Sequence, residues 1–327
     1  MQATIPPKTL ISPTKLGRRF HFRNRKNPSL SISAALSKNV TTPEAQDAIK
    51  RALAKKAVGL VKSGMVVGLG TGSTASIAIQ QLGTLITQGK LKNVVAVGAN
   101  YQSRVLARQY GVKTVDFNDI NNIDIVFDGA DEVDFNKNLL KGGGAAHTMQ
   151  KVVDSMAKEC VILADESKVV FQLGSTFPVP PDFKQLSSRM LVFWDTGGKK
   201  YNHNIAHLVD VLSLAVEVIP PAISPVLRRL VTLGGIPEIR SALRKDGPVI
   251  TDLGNMVVDV SFPNGIENPA DLEKSINLIP GVVDNGIVSG IATSVLVAIQ
   301  DGDSVTVMNL EEYVKIVGVP SNANSTI

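Results

Sequence analysis

Ile123-Asp-Ile-Val-Phe-Asp128-Gly-Ala-Asp131-Glu-Val-Asp134, followed by Lys141-Gly-Gly-Gly-Ala-Ala146 and the run to Lys158, is the stretch that decides how the chain reads. Ile123, Ile125, Val126 and Phe127 make a short apolar run with the length of a buried strand. Its C-terminal mouth carries Asp128, Asp131, Glu132 and Asp134. After the lysine and glycines, Met149, Val152, Val153, Met156 and Ala157 predict the apolar face of a helix. His147, Gln150 and Asp154 share another face at turn spacing. Acids at a strand end, then a lysine and glycines opening a helix, suit an anionic ligand.

Working outward, the same alternation repeats. Ile49, Leu53, Ala57 and Leu60 predict a helix opened by Pro43 and ended by Gly64, and Met65–Val67 reads as a strand. A glycine-rich turn leads into a helix through Ile77, Ile79 and Leu82. Val94–Val97, Lys113–Asp116 and Cys160–Ala164 read as further strands, with a helix over Ser103–Tyr110. Strands alternating with helices at this rhythm predict an α/β fold, a doubly wound and mostly parallel, Rossmann-like sheet. Its ligand then sits at the C-terminal strand ends.

From residue 214 the texture changes to strand Ala215–Ile219, helix Pro225–Leu233, strand pieces Val249–Thr251 and Met256–Val260, helix Pro269–Asn277 and strand Val282–Val288. This predicts a smaller α+β domain of βαββαβ form. The expected organisation is residues 1–40 as a transit peptide, 41–178 with 290–319 as the α/β catalytic domain, and 214–289 as the small domain. Residues 179–213 form an atypical insert, and 320–327 a loose tail. The insert holds the one tryptophan, Trp194, and reads either as a real loop or as a translated splice remnant.

Composition narrows the classes. The net charge of +5 comes from residues 1–40, which hold eight basic residues and no acid. Removing those eight from the 34 lysines and arginines leaves 26 against 29 acids, so the body has no general affinity for nucleic acid. The arm is also rich in Ser and Thr and lacks a long apolar run, matching an organellar transit peptide, with the chloroplast stroma expected. No membrane span is predicted. The single cysteine, Cys160, sits in an apolar run and reads as core, which excludes an internal disulfide framework.

Two candidate sites emerge. Gly68-Leu-Gly70-Thr-Gly72-Ser-Thr-Ala75 joins a strand to a helix, so its backbone N–H groups and the hydroxyls of Thr71, Ser73 and Thr74 can cradle a phosphate. The dinucleotide fingerprint also needs an acid at the end of the second strand, where Val97-Gly98-Ala99-Asn100 has none. A small metabolite's phosphate is the better reading. The acids at 128, 131 and 134 lack calcium-loop spacing and the histidines are scattered, so no metal is expected. Lys141 has the charge to steady a developing enediolate oxygen, or to face solvent at a helix start.

Together these motifs resemble the ribose-5-phosphate isomerase type A family. The resemblance rests on Gly70-Thr-Gly-Ser-Thr-Ala75, Asp128-Gly-Ala-Asp-Glu132, Lys141-Gly-Gly-Gly-Ala-Ala146, Ala164-Asp-Glu-Ser-Lys168, Val216-Glu-Val-Ile-Pro220 and Ile279-Pro-Gly-Val-Val283. It implies interconversion of ribose 5-phosphate and ribulose 5-phosphate without cofactor or metal, by a homo-oligomer serving the pentose phosphate pathway or Calvin cycle. It also implies that Lys55, Thr71, Gly72, Ser73, Thr74 and Lys168 hold substrate, along with Gly129, Ala130, Gly142, Gly143 and Gly144. Asp128 and Asp131 are implied to handle ring opening and hydroxyl protons, and Lys141 to steady the enediolate. Three features depart from the family. Gln150 stands where the glutamate base is expected, residues 182–213 interrupt a direct junction, and Leu253 replaces an asparagine in Asp252-Leu-Gly-Asn255. The departure at 150 leaves a second reading, a sugar-phosphate-binding homologue with impaired turnover.

Overall fold

The computed structural model describes residues 43–175, 213–302 and 304–318. The expected transit peptide, the insert apart from Ser213, and the tail lie outside these. Helix α1 (Pro43–Val58) precedes β1 (Val66–Leu69), α2 (Gly72–Thr87), β2 (Val95–Gly98), α3 (Tyr101–Gln109), β3 (Lys113–Thr114) and β4 (Ile123–Gly129). The short strands β5 (Glu132–Val133) and β6 (Leu139–Leu140) lead to α4 (His147–Met156) and β7 (Ala157–Asp165). Next come β8 (Leu214–Val218), α5 (Ile223–Thr232), β9 (Ile236–Ile239), β10 (Met256–Ser261), α6 (Pro269–Asn277) and β11 (Val282–Asn285). The chain closes with β12 (Ile287–Val288), β13 (Ser294–Asp301), β14 (Ser304–Asn309) and α7 (Leu310–Val317).

Seven strands form the main sheet in the order β14-β13-β7-β4-β1-β2-β3, parallel except for the antiparallel edge strand β14. Period-two alternation sends side chains to both faces. Val161, Leu163, Leu296 and Ala298 pack with Ile49, Leu53, Ile79, Leu82 and Ala107 of the first three helices. Cys160, Ile162, Val295 and Val297 pack with Val153 of α4 and with Leu310, Tyr313 and Val317 of α7. Each fully buried Val, Leu or Ile among these stabilises the fold by about 1.5–3 kcal/mol. Helices on both faces make the sheet doubly wound, as the alternation predicts.

The sheet order reverses at β1. From there the chain first builds outward through β2 and β3, then crosses to β4 and β7 on the other side. Strands β1 and β4 pair in parallel, with Leu69 beside Phe127, so the turns that follow both open into the crevice expected at such a switch point. A second, fully antiparallel sheet has the order β11-β8-β10-β9, and its βαββαβ connectivity runs through α5 and α6. A third, small sheet joins β12, β6 and β5.

Several elements differ from their sequence reading. The helix expected to run to Gly64 ends at Val58, and Gly64 (φ +85°) turns the chain ahead of β1. The piece Val249–Thr251 forms one isolated bridge, Ile250 with Met256. The run Val282–Val288 divides at Gly286 between two sheets, because Gly286 N donates to Ala215 O (2.8 Å) while its own carbonyl accepts from Lys141 N (2.8 Å). A Cβ on Gly286 would lie 2.0 Å from Lys141 O, so no other residue fits this crossing. The apolar face expected on α4 is buried only in part, Val153 being buried and Met156 packing half-buried against the core. Val152 is 39% exposed, Ala157 belongs to β7, and the buried positions are His147, Thr148, Gln150, Val153 and Asp154.

Candidate active site

The pocket is built around Asp128, the last side chain of β4 before Gly129, and it is wholly buried. Its Oδ1 accepts from Thr71 N (3.1 Å), Gly129 N (2.7 Å) and Gln150 Nε2 (3.2 Å), and its Oδ2 from Lys141 Nζ (2.7 Å). Four donors on one carboxylate offset the cost of burying its charge. Gly70 is what lets the carboxylate come so close. A Cβ there would meet Asp128 Oδ1 at 2.2 Å.

Lys141 follows β6, its backbone pinned by Gly286 O, and only 2% of the residue is exposed. The reading of this lysine as solvent-facing is therefore excluded. Nζ donates to Asp128 Oδ2 and to Gly129 O (2.5 Å), and Asp154 Oδ2 lies 3.8 Å away. Burial alone pulls the ammonium's pKa down. The charge of Asp128, joined at alkaline pH by that of Asp154, outweighs that and leaves it above its usual value, so Lys141 is a fixed cation at neutral pH. Burial and the charge of Asp128 push Asp154 up to about 8, with Lys141 opposing, so Asp154 is mostly neutral there.

Gln150 lies on the buried face of α4 and points into this cluster. Its Nε2 donates to Thr71 Oγ1 (2.6 Å) as well as to Asp128. Because the Asp128 carboxylate can only accept, the amide nitrogen, not its oxygen, must face it. With its hydroxyl so engaged, Thr71 caps α2 without a side-chain bond to the helix backbone. The first turn of α2 holds no acid, Gly72 (φ +86°) and Ser73 are exposed, and Thr74 is half-buried. An uncapped helix N-terminus with exposed glycine and serine is open to an anion.

The glycine turn closes the other side. Gly143 N donates to Asp131 Oδ2 (2.9 Å), and Gly144 has open space where a side chain would stand. Gly142 (φ +116°) is excluded from other residue types, because a Cβ would lie 2.4 Å from that of Ala215. Asp131 accepts one backbone N–H against the four donors on Asp128, which leaves it the freer carboxylate. Lys55 is exposed on α1 and its side chain makes no polar contact among the described residues. Lys168 is half-buried and lies near enough to Glu132 to oppose slightly the rise that burial gives that group's pKa. Neither lysine is brought into hydrogen-bonding contact with the Asp128 cluster.

Supporting residues came from the second sheet, and the sequence reading gave them no role. Glu217 of β8 is buried and accepts from Thr148 Oγ1 (2.5 Å) of α4, and from Thr251 Oγ1 (2.7 Å) and Asn255 Nδ2 (2.8 Å). Arg240 pairs with Asp259 and donates Nη1 to Gly142 O (2.8 Å), fastening the glycine turn. A single acid in the apolar strand Leu214–Val218 was the available signal for Glu217. The leucine of Asp252-Leu-Gly-Asn255 is 48% exposed, and Asp252 accepts from Tyr101 N (3.3 Å). His147 is fully buried with both ring nitrogens unpartnered, and burial pushes it down to about 4. It makes no hydrogen bond to Asp128, Lys141 or Gln150. Among the described residues no group of three His, Cys, Asp or Glu side chains is arranged to hold a metal, and no helix is long and apolar enough to cross a membrane.

The family model of ribose 5-phosphate isomerase A (phosphoriboisomerase A) matches residues 95–192 and 183–302. A ribose-5-phosphate isomerase A of Thermosynechococcus vestitus is 47% identical over 255 residues, 78% of this chain and 93% of that protein. One from Synechocystis is 44% identical over 254 residues, again 78% of this chain and 93% of that protein. Among solved structures, ribose 5-phosphate isomerase A of Methanocaldococcus jannaschii superimposes with a TM-score of 0.65 at 40% identity, over 81% of this chain and 99% of that one. A D-ribose-5-phosphate isomerase in complex with phospho-erythronic acid gives 0.66 at 33% identity, over 80% and 98%.

Proposed function

The chain belongs to the ribose 5-phosphate isomerase A family, and from that premise we propose that it interconverts D-ribose 5-phosphate and D-ribulose 5-phosphate through an enediolate. The observation that carries the reading is the Lys141 ammonium, buried between Asp128 Oδ2 and Gly129 O at the switch point of the sheet. A cation already held in a dry site stabilises charge developing on the enediolate without reorganising. The uncapped N-terminus of α2 takes the phosphate, together with Thr71–Thr74. Asp131, the less encumbered carboxylate, exchanges protons with the sugar hydroxyls during ring opening. Lys55 and Lys168 add positive charge around the phosphate once substrate is bound.

Gln150 sets the rate. An amide does not accept the C2 proton at neutral pH, so that proton passes to water as the enediolate forms and C1 takes one back from water; a positioned base is worth roughly 10²–10⁴ in rate. Turnover is therefore expected below that of relatives with a glutamate at this position. The same residue supports a second reading, a homologue that binds the sugar phosphate as a sensor or partner subunit with little turnover. Its amide is spent on Asp128 and Thr71, which holds the binding cluster together. Calorimetric titration of the full chain with ribose 5-phosphate, paired with a turnover assay, separates the two. Binding with turnover above a Lys141→Ala control supports the isomerase, binding without turnover supports the sensor, and no binding refutes both.

The basic, acid-free arm supports delivery to the plastid stroma, in the pentose phosphate pathway or Calvin cycle. Residues 1–40 fused to a fluorescent protein are expected to enter plastids, and cytosolic fluorescence would contradict this. A homo-oligomer is the expected assembly, which light scattering of the purified chain tests.

A further inference from the structure

An ammonium group has three N–H donors. In Lys141 two of them are taken by Asp128 Oδ2 and Gly129 O. The third has one further charged neighbour among the described residues, Asp154 Oδ2 at 3.8 Å, too long for a hydrogen bond but within ion-pair range. Asp154 is 1% exposed, and neither of its oxygens has a hydrogen-bond partner. It is thus a buried carboxyl that no step above uses, aimed at the donor an incoming anion needs. The groups facing it are Asp128 from β4, Lys141 from the turn after β6, and Cys160 from β7.

We propose that Asp154 is a positioning residue that, when charged, competes with the ligand's anionic oxygen for the third N–H of Lys141. When neutral it leaves that donor free. The idea rests on the isomerase reading of the pocket, and it gives the site an alkaline limit of its own. Burial and the charge of Asp128 place the carboxyl's midpoint at about 8. As pH rises through that value, Asp154 ionises and draws the Lys141 ammonium toward itself. Lys141 stays protonated throughout, being held above its ordinary range.

The test is calorimetric titration of the full chain with phospho-erythronic acid at about pH 7 and about pH 9.5. Its carboxylate stands in for the enediolate oxygen, and its phosphate changes little across this window, being already about nine-tenths ionised at pH 7 because the second ionisation lies near 6. Wild-type affinity is expected to fall about tenfold, equivalent to a one-unit shift of the Asp154 pKa by the bound ligand. In Asp154→Asn the ratio between the two pH values should stay under about twofold, while Asp154→Glu should keep an alkaline loss. A wild-type affinity that holds to pH 9.5 overturns the proposal whether or not the variants fold, and so does a parallel fall in Asp154→Asn. Absence of binding at both pH values would instead overturn the sugar-phosphate reading of the pocket, and this inference with it.

Discussion

Replacing Gln150 by glutamate exchanges the amide nitrogen for a carboxylate oxygen. That oxygen would stand about where Nε2 now sits, 2.6 Å from Thr71 Oγ1 and 3.2 Å from Asp128 Oδ1. Thr71 can answer by donating its hydroxyl to the new acceptor. Asp128 cannot, and two like charges at that separation repel by roughly 5 kcal/mol at an effective dielectric near 20. Lys141, already on Asp128, offsets part of this. The net result is a carboxyl with its pKa raised from about 4.3 toward about 6–7, by like charge and by burial. That range suits a general base acting near neutral pH. Gln150→Glu is therefore expected to raise kcat at least about tenfold, with an acid limb absent from the wild type. The assay is initial-rate formation of ribulose 5-phosphate between about pH 5.5 and about pH 8.5. A folded Gln150→Glu that binds ribose 5-phosphate as the wild type does, yet shows no gain, would refute the assignment of the missing base to this position.

Three further outcomes follow from the same geometry. Gly70→Ala drives a methyl group into Asp128 Oδ1, so it should weaken ribose 5-phosphate binding at least about tenfold and cost about 1–3 kcal/mol of stability by overpacking, read by calorimetry and urea unfolding. Glu217→Ala strips the acceptor from Thr148, Thr251 and Asn255 and should destabilise by about 2–4 kcal/mol; a loss under about 1 kcal/mol would show that water replaces it. Glu132, which accepts from Gly174 N (2.6 Å), is pushed up to about 7 by burial from an ordinary 4.5. Its folded pKa exceeds its unfolded one, so its contribution is largest below about 4.5 and is lost as pH rises through about 7. Relative to Glu132→Gln, the wild type should lose roughly 3 kcal/mol at most across that window, and parallel stability curves would contradict this.

Periodicity made the main sheet legible, because strands buried on both faces and helices with regular apolar spacing leave strong patterns. The site motifs were legible too, since Gly70, Gly142 and Gly143 are glycines for reasons of contact and backbone angle. Helix α4 was read only in part because most of its buried face is polar. His147, Gln150 and Asp154 face inward beside Val153, while Val152 from the expected apolar face is exposed. Glu217 and Arg240 were missed because their partners lie far off in sequence, Thr148 on α4 and Gly142 in the turn. Gly286 shows the same limit, since an unbroken apolar run hid a change of sheet imposed by two long-range backbone bonds.

At the heart of the site is proton transfer on a five-carbon sugar phosphate whose enediolate Lys141, beside Asp128, steadies. Proton NMR of the full chain, mixed separately with ribose 5-phosphate and with ribulose 5-phosphate, tests it most directly. Both samples are expected to converge on one mixture of the two sugars, while Lys141→Ala leaves each unchanged over the same time. Wild-type samples that keep their starting sugar as fully as the Lys141→Ala samples do would contradict it.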